Sequence, residues 1–469
     1  MKRKNHKQKD FPAKQPKLDE PIAEHLVALS LKPVECGALS ETENLEYEKK
    51  YINSQRRNRT LEEDRGPREP NPSSIRKPKK KVALLMSYAG TGYHGMQINP
   101  LSSSIELDLH KALAASGAVS QDNAMDPTKS SFVRCARTDK GVHAAGNVVS
   151  LKMSLDDGII GMINEKLPPQ IRVWGWSRVP NKFSAKVMCD SRIYEYLLPT
   201  YCLKDVDPSF YPHSNVALNA NFDISKLDRK LNEPQELPPI DKHHLEKLQS
   251  YRAPPEKLDE LKEILAEYKG TKLYHNFTVG KTSKDKSVKR YIIDFQCGEP
   301  FVRDGIEWVS CKVLGQAFML HQIRKMIGLA ILMVRSGTKK DLIQHCFGEE
   351  RMNIPKAPAL GLLLERPVFD HYNEKEGTKE DRDVIDFTPF QKEINEFKER
   401  WIYKAISDTE KNEGQFADWL RLVDQCSDDY SWFLNTKNCF DLGLQPENLF
   451  KKGTKANDEE ELVDEDGEE

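Results

Sequence analysis

Apolar residues that alternate with polar ones mark several short stretches between residues 81 and 314. Alternation with a period of two is typical of a β-strand that buries one face. In the clearest case, Tyr291, Ile293, Phe295 and Cys297 are predicted to share one face of a strand. We predict further strands from the apolar run that begins near Lys81, from both ends of segment 131–153, and from IRVWGW, SRIYEYLLP, KRYIIDFQC and IEWVSCKVL.

Apolar residues spaced three or four positions apart predict helices between and after these strands. Ile105, Leu109 and Leu113 form one such stripe, and the spacing of Ser103 and Glu106 predicts a capping box at its start. Further helices are predicted near 158–166, near 256–268, within 317–334 and from Thr388-Pro389 onwards, where Thr388 is the predicted cap and Phe390, Ile394, Phe397 and Trp401 share a face. Strands mixed with helices indicate a mixed α/β (α+β) domain built on a sheet.

Local composition divides the chain into segments. Residues 1–78 carry many charges and prolines without periodicity, so we predict a mostly disordered N-terminal tail with basic runs. The main domain is predicted over 79–375, with a polar, proline-rich surface insertion at about 203–257. A helical extension follows over 376–437, and 438–469 is predicted to be a disordered acidic tail.

Charge and cysteine content narrow the class of protein. Of the 469 residues, 31% are charged and 38% hydrophobic, and the net charge is only −2. The nine cysteines contain no C-x-x-C pair, which argues against a zinc ribbon or a disulfide framework, and His243-His244 is not interpreted as a metal site. The N-terminus has no apolar signal segment, and Arg324 and Lys325 interrupt the most apolar stretch, 317–334. These features favour an intracellular, soluble protein that spans no membrane.

The run VALLMSYAGTGYHGMQ at 82–97 contains the G-x-G-x-x-G spacing of dinucleotide-binding loops. Such a loop needs its third glycine at the start of the following helix, where free N–H groups hold the pyrophosphate. Here Met96 to Ser102 separates Gly95 from the predicted helix, and no strand with an acidic end follows about twenty residues later. We therefore expect no nucleotide cofactor, and we expect the glycines to let the backbone turn tightly beside another element.

Segment 134–146, RCARTDKGVHAAG, is the best candidate for chemistry. Thr138-Asp139-Lys140-Gly141 is favourable for a turn between two strands, and an isolated copy would be interpreted as no more than that. However, Arg134, Arg137 and Lys140 surround one carboxylate. A carboxylate beside arginine keeps its charge and a fixed orientation, as a nucleophile requires.

ARTDKGVHAAG also resembles the catalytic motif of the TruA-type tRNA pseudouridine synthases, in particular their eukaryotic nuclear branch. The resemblance runs from about residue 81 to 375 and implies the pseudouridine synthase fold, with a central, largely antiparallel sheet flanked by helices and here a C-terminal helical extension. Four more segments match in order: SYAGTGYHGMQ, KFSAKVMCDSRIYEYLLPT, GQAFMLHQIRKMIG and PKAPALGLLLERPVF.

The resemblance implies a role for individual residues. Asp139 matches the catalytic aspartate, Tyr194 the tyrosine that lies against the target base, and Arg324 the basic residue that pairs with the aspartate. Arg137 matches the arginine that helps displace the target nucleotide. Lys140, Arg134 and Lys325, with Lys272 and Arg290, are further candidate RNA contacts, although for Arg290 solvated surface charge is the favoured interpretation. His321 is interpreted as a core or RNA-contacting residue.

The chain departs from the family pattern at one place. Where the branch usually has G-T-H-N-F-H-N-F-T, this sequence has GTKLYHNFT, with Lys272-Leu273-Tyr274 in place of His-Asn-Phe. This difference puts an RNA contact in question but not the chemistry.

The function that the resemblance implies is an isomerase that converts uridine to pseudouridine in tRNA, with snRNA and mRNA as further candidate substrates. Rupture and re-formation of a glycosidic bond requires no redox step, so we expect no required cofactor, and a structural metal such as zinc is left open. A glycoside hydrolase is disfavoured because the motif offers one carboxylate where two are normally needed. The alternative from another class is a non-catalytic RNA-binding or RNA-chaperone protein that keeps the fold. We further expect a monomer in the nucleus, with cytoplasm or mitochondrion as alternatives.

Overall fold

A computed structural model describes residues 78–98, 102–120, 123, 127–205, 240–349 and 351–425. The predicted N-terminal tail up to residue 77, the acidic tail, the end of the predicted helical extension and most of the predicted insertion lie outside these residues. The described part of the insertion contains α3 and the start of α4, as given below.

The described residues form ten strands: β1 (Lys79–Tyr88), β2 (Val133–Arg134), β3 (His143–Ser154), β4 (Ile171–Arg178), β5 (Ser191–Pro199), β6 (Gly270–Leu273), β7 (Lys289–Cys297), β8 (Phe301–Arg303), β9 (Ile306–Gly315) and β10 (Leu362–Val368). Their helices are α1 (Ile105–Ala115), α2 (Ile159–Lys166), α3 (Lys242–Gln249), α4 (Pro255–Ala266), α5 (Gln322–Ser336), α6 (Leu342–His345), α7 (Asp370–Tyr372), α8 (Gln391–Phe397), α9 (Lys404–Glu413) and α10 (Gln415–Gln425). Short 3₁₀ turns lie at Pro127–Ser130, Thr200–Leu203, His275–Phe277, Lys286–Val288, Ala359–Gly361 and Thr388–Phe390, and π-helical segments at Asn373–Gly377 and Lys398–Tyr403.

All ten strands join one sheet. Its main order is β4-β1-β3-β10-β5-β9-β7-β6, with β2 paired to β3 and β8 to β9. Strands β3 and β10 run parallel, with His143 opposite Leu363, whereas every other described pair is antiparallel. The predicted mixed α/β class with a largely antiparallel sheet is therefore confirmed.

Every predicted strand is present, and two have the predicted bounds, 191–199 and 289–297. The predicted face of β7 is wrong at its N-terminal end. Ile292 is fully buried, whereas Tyr291 is 39% exposed. The pairing register with β9 shifts between Ile292 and Asp294, so a bulge moves the buried face by one residue.

Two predicted helix caps are wrong. Helix α1 is capped by Ser104, whose hydroxyl accepts from the Leu107 N–H at 3.3 Å, while the Ser103 hydroxyl donates to the Gly92 carbonyl. At the later helix, Thr388 is the first residue of a 3₁₀ turn, and its own N–H donates to Asp386 at 2.8 Å. At α1 the neighbouring serine therefore provides the capping bond, whereas the cap residue of the 3₁₀ turn is Phe387, which makes no side-chain capping bond.

The helices cover the sheet with apolar side chains. Helix α5, which includes most of the apolar stretch 317–334, is buried along nearly its whole length, as predicted. In the helical extension, Ile394 and Phe397 are buried, and Phe390 and Trp401 pack against the same core, so this predicted face is confirmed. Phe416 of α10 meets Tyr196 of β5 edge to face at 6.1 Å.

Candidate active site

Asp139 lies in the loop between β2 and β3, at the edge where β3 begins. The Val142 N–H donates to the Asp139 carbonyl at 3.1 Å, and Gly141 has φ +76°, which a side chain would disfavour. The predicted tight turn is therefore present. The Asp139 side chain is 40% exposed, so its carboxylate remains accessible to a substrate.

The opening loop, residues 89–96, packs its backbone against the Asp139 loop. Gly141 N–H donates to the Tyr93 carbonyl and Met96 N–H to the Thr138 carbonyl, both at 3.1 Å. A Cβ atom on Gly90 would lie 2.2 Å from the Val142 carbonyl oxygen, and one on Gly95 would lie 2.6 Å from that of Thr138. The glycines therefore lie where two backbones approach closely, as expected.

The start of α1 does not offer the free N–H groups of a dinucleotide site. Ile105 N–H donates to the Gly95 carbonyl at 3.2 Å, and Glu106 N–H donates to the Met96 carbonyl at 2.9 Å. These donors, which a pyrophosphate would need, are already used within the protein.

Basic side chains from two other segments face Asp139. The His321 Nδ1 lies 3.6 Å from Asp139 Oδ2, and the charges of Arg324 and Lys356 act on the same carboxyl group. Burial disfavours the charged form, but interaction with His321 and the attraction of the two cations outweigh it and hold the pKa of Asp139 below its usual value. Asp139 is therefore ionised at neutral pH.

Arg324 is fixed by the segment that precedes β10. Its Nε donates to the Ala357 carbonyl at 2.7 Å, and the Ala357 N–H donates back to the Arg324 carbonyl at 3.0 Å. A Cβ on Gly328, one turn further along α5, would lie 2.3 Å from the Pro355 carbonyl oxygen, which explains how the two segments pack so closely. This contact holds the guanidinium and Lys356 on the same side of the site.

Tyr194 lies in β5, between Leu364 of β10 and Val313 of β9. Its half-buried ring meets Phe318 edge to face, with 5.2 Å between centroids. Burial raises the pKa of Tyr194, and the charge of Asp139 is among the groups that raise it further. The structure therefore brings together Asp139, Tyr194 and Arg324, which are far apart in the sequence.

The candidate RNA contacts near Asp139 differ in their surroundings. Arg137 and Lys140 have exposed side chains beside the catalytic loop. Arg134 instead binds the fully buried Glu106, with 2.9 Å between its Nη2 and the carboxylate. Lys325 donates to the Thr278 carbonyl at 3.0 Å. As RNA contacts, all four stay predictions.

The departure from the family pattern is accommodated inside the protein. Tyr274 is fully buried, and its hydroxyl donates to the Tyr268 carbonyl at 2.5 Å. Lys272 lies opposite Arg290 on β6 and β7, and its ammonium group lies 4.6 Å from the centre of the Phe347 ring. The three residues Lys272, Leu273 and Tyr274 thus contribute to local packing at the sheet edge.

Two members of the site are not predicted from the sequence. No motif points to Lys356, and the sequence favours a core or RNA-contacting role for His321. The available signal for His321 was its position one helical turn before Arg324, because residues three apart share a face. Among the described residues, no cluster of three His, Cys, Asp or Glu side chains is arranged to hold a metal ion. None of their helices combines the length and apolar character needed to cross a bilayer.

Comparison with known proteins gives consistent matches. The model of a family described as tRNA pseudouridine synthase matches residues 264–370. A tRNA pseudouridine synthase 1 from Yarrowia lipolytica is 39% identical over 451 residues, which cover 84% of each chain. A pseudouridylate synthase 1 homolog from Mus musculus is 41% identical and covers 74% of each chain, and the tRNA pseudouridine synthase 1 of Saccharomyces cerevisiae is 41% identical and covers 69% of this chain and 68% of its own.

Proposed function

The chain belongs to the tRNA pseudouridine synthase family and isomerises uridine in tRNA to pseudouridine, and we propose that Asp139 carries this reaction at the sugar. The observation that supports this role most directly is the ionised, accessible carboxylate of Asp139 among His321, Arg324 and Lys356. A carboxylate held in this way is suited to act on an electron-poor carbon or its neighbouring proton.

In the reaction, the bond between N1 of uracil and the sugar C1′ breaks, the base rotates, and C5 bonds to C1′. C5 then loses a proton, and N1 ends with one, so no net oxidation or reduction takes place. We propose that Asp139 acts as nucleophile at the sugar or as a base there, and that no cofactor is required. Arg324 keeps the carboxylate charged until it reacts.

Tyr194 is proposed to pack against the uracil. Since burial raises the pKa of its phenol, the hydroxyl stays protonated at neutral pH. A neutral phenol can donate or relay a proton near C5, but it is only a weak base. The half-buried ring provides a flat apolar surface beside Asp139 for the rotating base.

Arg137 is proposed to occupy the place that the target nucleotide leaves. Removal of a base from its stack costs a few kcal/mol, least where the base is weakly paired. The exposed Arg137 side chain lies two residues from Asp139, and its planar guanidinium can stack on neighbouring bases. Lys140 adds a phosphate contact at the same loop.

Separate features of the chain support its proposed additional substrates, its location and its oligomeric state. We propose snRNA and mRNA as additional substrates, because an active site that acts on an extruded uridine reads local shape more than long sequence. The basic runs in residues 1–17 and 76–81 support a nuclear location. The helices that pack on the core after residue 387 support a monomer.

The test replaces Asp139 with Asn, which keeps its size and removes its charge. We expect pseudouridine formation in tRNA to fall by several orders of magnitude, while the Kd for tRNA changes little. Mapping of pseudouridine in RNA from cells that carry only wild-type or Asp139→Asn protein extends the test to snRNA and mRNA. Unchanged tRNA modification by the variant would overturn the role of Asp139, and unchanged snRNA and mRNA maps would remove those substrates.

A further inference from the structure

His321 has an unusual backbone conformation for its position. It immediately precedes α5 with φ +60° and ψ 4°, in the left-handed region, and its carbonyl accepts the N–H of Lys325 at 3.0 Å. Residues other than glycine are uncommon in this region, and such conformations persist when surrounding contacts maintain them. This conformation directs the His321 side chain toward the Asp139 loop.

The imidazole of His321 lacks a hydrogen bond at one buried nitrogen. Its side chain is 12% exposed, and its Nδ1 atom is buried with no partner within hydrogen-bond distance. The carboxylate oxygen Asp139 Oδ2 lies 3.6 Å away, slightly beyond that distance. An unpaired buried nitrogen is costly, so a small movement that closes this gap would be favourable.

The two cations at Asp139, Arg324 and Lys356, provide charge but less direction. The Nε of Arg324 is engaged with the Ala357 carbonyl, and Lys356 acts on the carboxyl group through its charge. The Nδ1 atom of His321 belongs to a short, buried side chain, which has less freedom to move than the long side chain of an arginine or a lysine. His321 is therefore the group best placed to fix the rotation of the carboxylate.

We propose that His321 is a positioning residue for the isomerisation, in which its Nδ1–H donates to Asp139 Oδ2 and leaves Oδ1 directed at the ribose of the target nucleotide. This rests on the proposed role of Asp139. The contact of 3.6 Å shortens when RNA fills the cleft, because catalytic hydrogen bonds are often long before substrate binds. His321 itself touches the carboxylate and not the reacting atoms.

Two substitutions separate the donor from the backbone conformation. In His321→Asn, the side-chain amide nitrogen is one bond beyond Cγ, as Nδ1 is in histidine, and Asn tolerates the left-handed region. In His321→Gly, the backbone conformation is favoured but the donor is lost. Both variants should fold, and rates are measured below their unfolding midpoints.

Single-turnover rates and tRNA affinity are then compared. We expect His321→Gly to lower the single-turnover rate about 10- to 100-fold, as misplacement of a reacting group does, with the Kd for tRNA unchanged. His321→Asn should recover most of that rate. The proposal is overturned if both variants retain the wild-type rate, if both lose it equally, or if the loss appears in the Kd for tRNA.

The Asp139→Asn variant distinguishes a wrong role for His321 from a wrong role for Asp139. If Asp139→Asn remained active, the carboxylate itself would be dispensable. If Asp139→Asn were inactive while both His321 variants were fully active, Asp139 would keep its role and only the positioning by His321 would be rejected.

Discussion

Three carboxyl groups of this protein have pKa values that their surroundings move in opposite directions. Cations beside Asp139 lower its pKa, and Lys398 lowers that of the buried Glu195. Within the part of the chain that the structure describes, no neighbouring cation offsets the burial of Glu410. Its carboxyl group accepts from the Phe416 N–H at 2.9 Å and from the Tyr201 hydroxyl, but burial raises its pKa to about 7. A buried carboxyl group in this protein thus keeps its charge only where a cation lies beside it.

Glu410 makes the stability of the fold depend on pH. Its folded-state pKa of about 7 lies above the usual 4.5, so the native protein binds more protons than the unfolded chain between these values, and stability falls as the pH rises through this window. In Glu410→Gln the amide oxygen can still accept from the Phe416 N–H, and the amide N–H can donate to the Tyr201 hydroxyl oxygen, so both contacts can be kept without the charge. From pH 5 to pH 8 the wild type should lose stability that this variant keeps. We therefore expect the difference in free energy of unfolding between variant and wild type to shift by about 1–3 kcal/mol in favour of the variant.

Urea unfolding at the two pH values measures this change. Glu413→Gln is the matched control, because it replaces an exposed carboxylate on the same helix, α9. If Glu410→Gln and wild type showed parallel pH dependence, Glu410 would not titrate in this window.

At the residue scale, the sequence was sufficient to predict which three residues come together at the candidate site, but not which other groups surround Asp139. Asp139, Tyr194 and Arg324 are predictable because each lies in a matched segment. The contact of His321 depends on a left-handed backbone angle and on the packing of α5 against another loop, and no local pattern encodes either. Likewise, Ser103 and Ser104 both suit a cap, and the opening loop determines which one is used.

At the element scale, contact between the opening loop and the Asp139 loop depends on Gly90. A Cβ there would lie 2.2 Å from the Val142 carbonyl oxygen, and the backbone of both loops would have to move apart. We expect Gly90→Ala to lower stability by about 1–3 kcal/mol, as overpacking does, and to lower the single-turnover rate because Asp139 shifts with its loop.

The control for Gly90→Ala is Gly161→Ala in α2. An added Cβ meets no atom within 4 Å there, and the position is exposed, so alanine should stabilise the helix by about 0.5–1 kcal/mol. Thermal unfolding and single-turnover assays on both variants test the expectation. Wild-type activity in Gly90→Ala would mean that the two loops can separate without displacing Asp139.

Element bounds were predicted well and strand faces less well, for a physical reason. Apolar runs such as SRIYEYLLP end where turn residues begin, so their limits are local properties of the chain. The bulge in β7 arises from how that strand pairs with β9, and it exposes Tyr291 in spite of the regular alternation. Pairing between distant strands is not visible in a local window.

At the scale of the whole molecule, a buried charge cluster holds the C-terminal helices on the sheet. The Lys398 ammonium group lies 2.8 Å from Glu195 on β5 and 2.7 Å from Glu365 on β10, and the Tyr403 hydroxyl donates to Glu195 at 2.8 Å. Glu195 directly follows Tyr194, and neighbouring residues of a strand point to opposite faces. The helical extension thus covers the face of β5 opposite the proposed uracil contact.

This arrangement predicts that the chain is a monomer, because the extension occupies a sheet face that would otherwise be available to a second copy. Light scattering after size-exclusion chromatography should give the mass of one chain across micromolar concentrations. In Lys398→Met, two carboxylates lose their shared cation, and we expect a loss of about 3–5 kcal/mol in the free energy of unfolding. A loosened extension should then expose apolar surface and promote self-association.

Lys404→Met provides the control, since Lys404 is 62% exposed and pairs with Asp408 one turn away on α9. An exposed pair of this kind contributes little, so this variant should keep wild-type stability and remain a monomer. A wild-type dimer would show that a surface other than the one under the extension mediates association. A stable, monomeric Lys398→Met would show that apolar packing of Ile394, Phe397 and Phe416 holds the extension without the charge cluster.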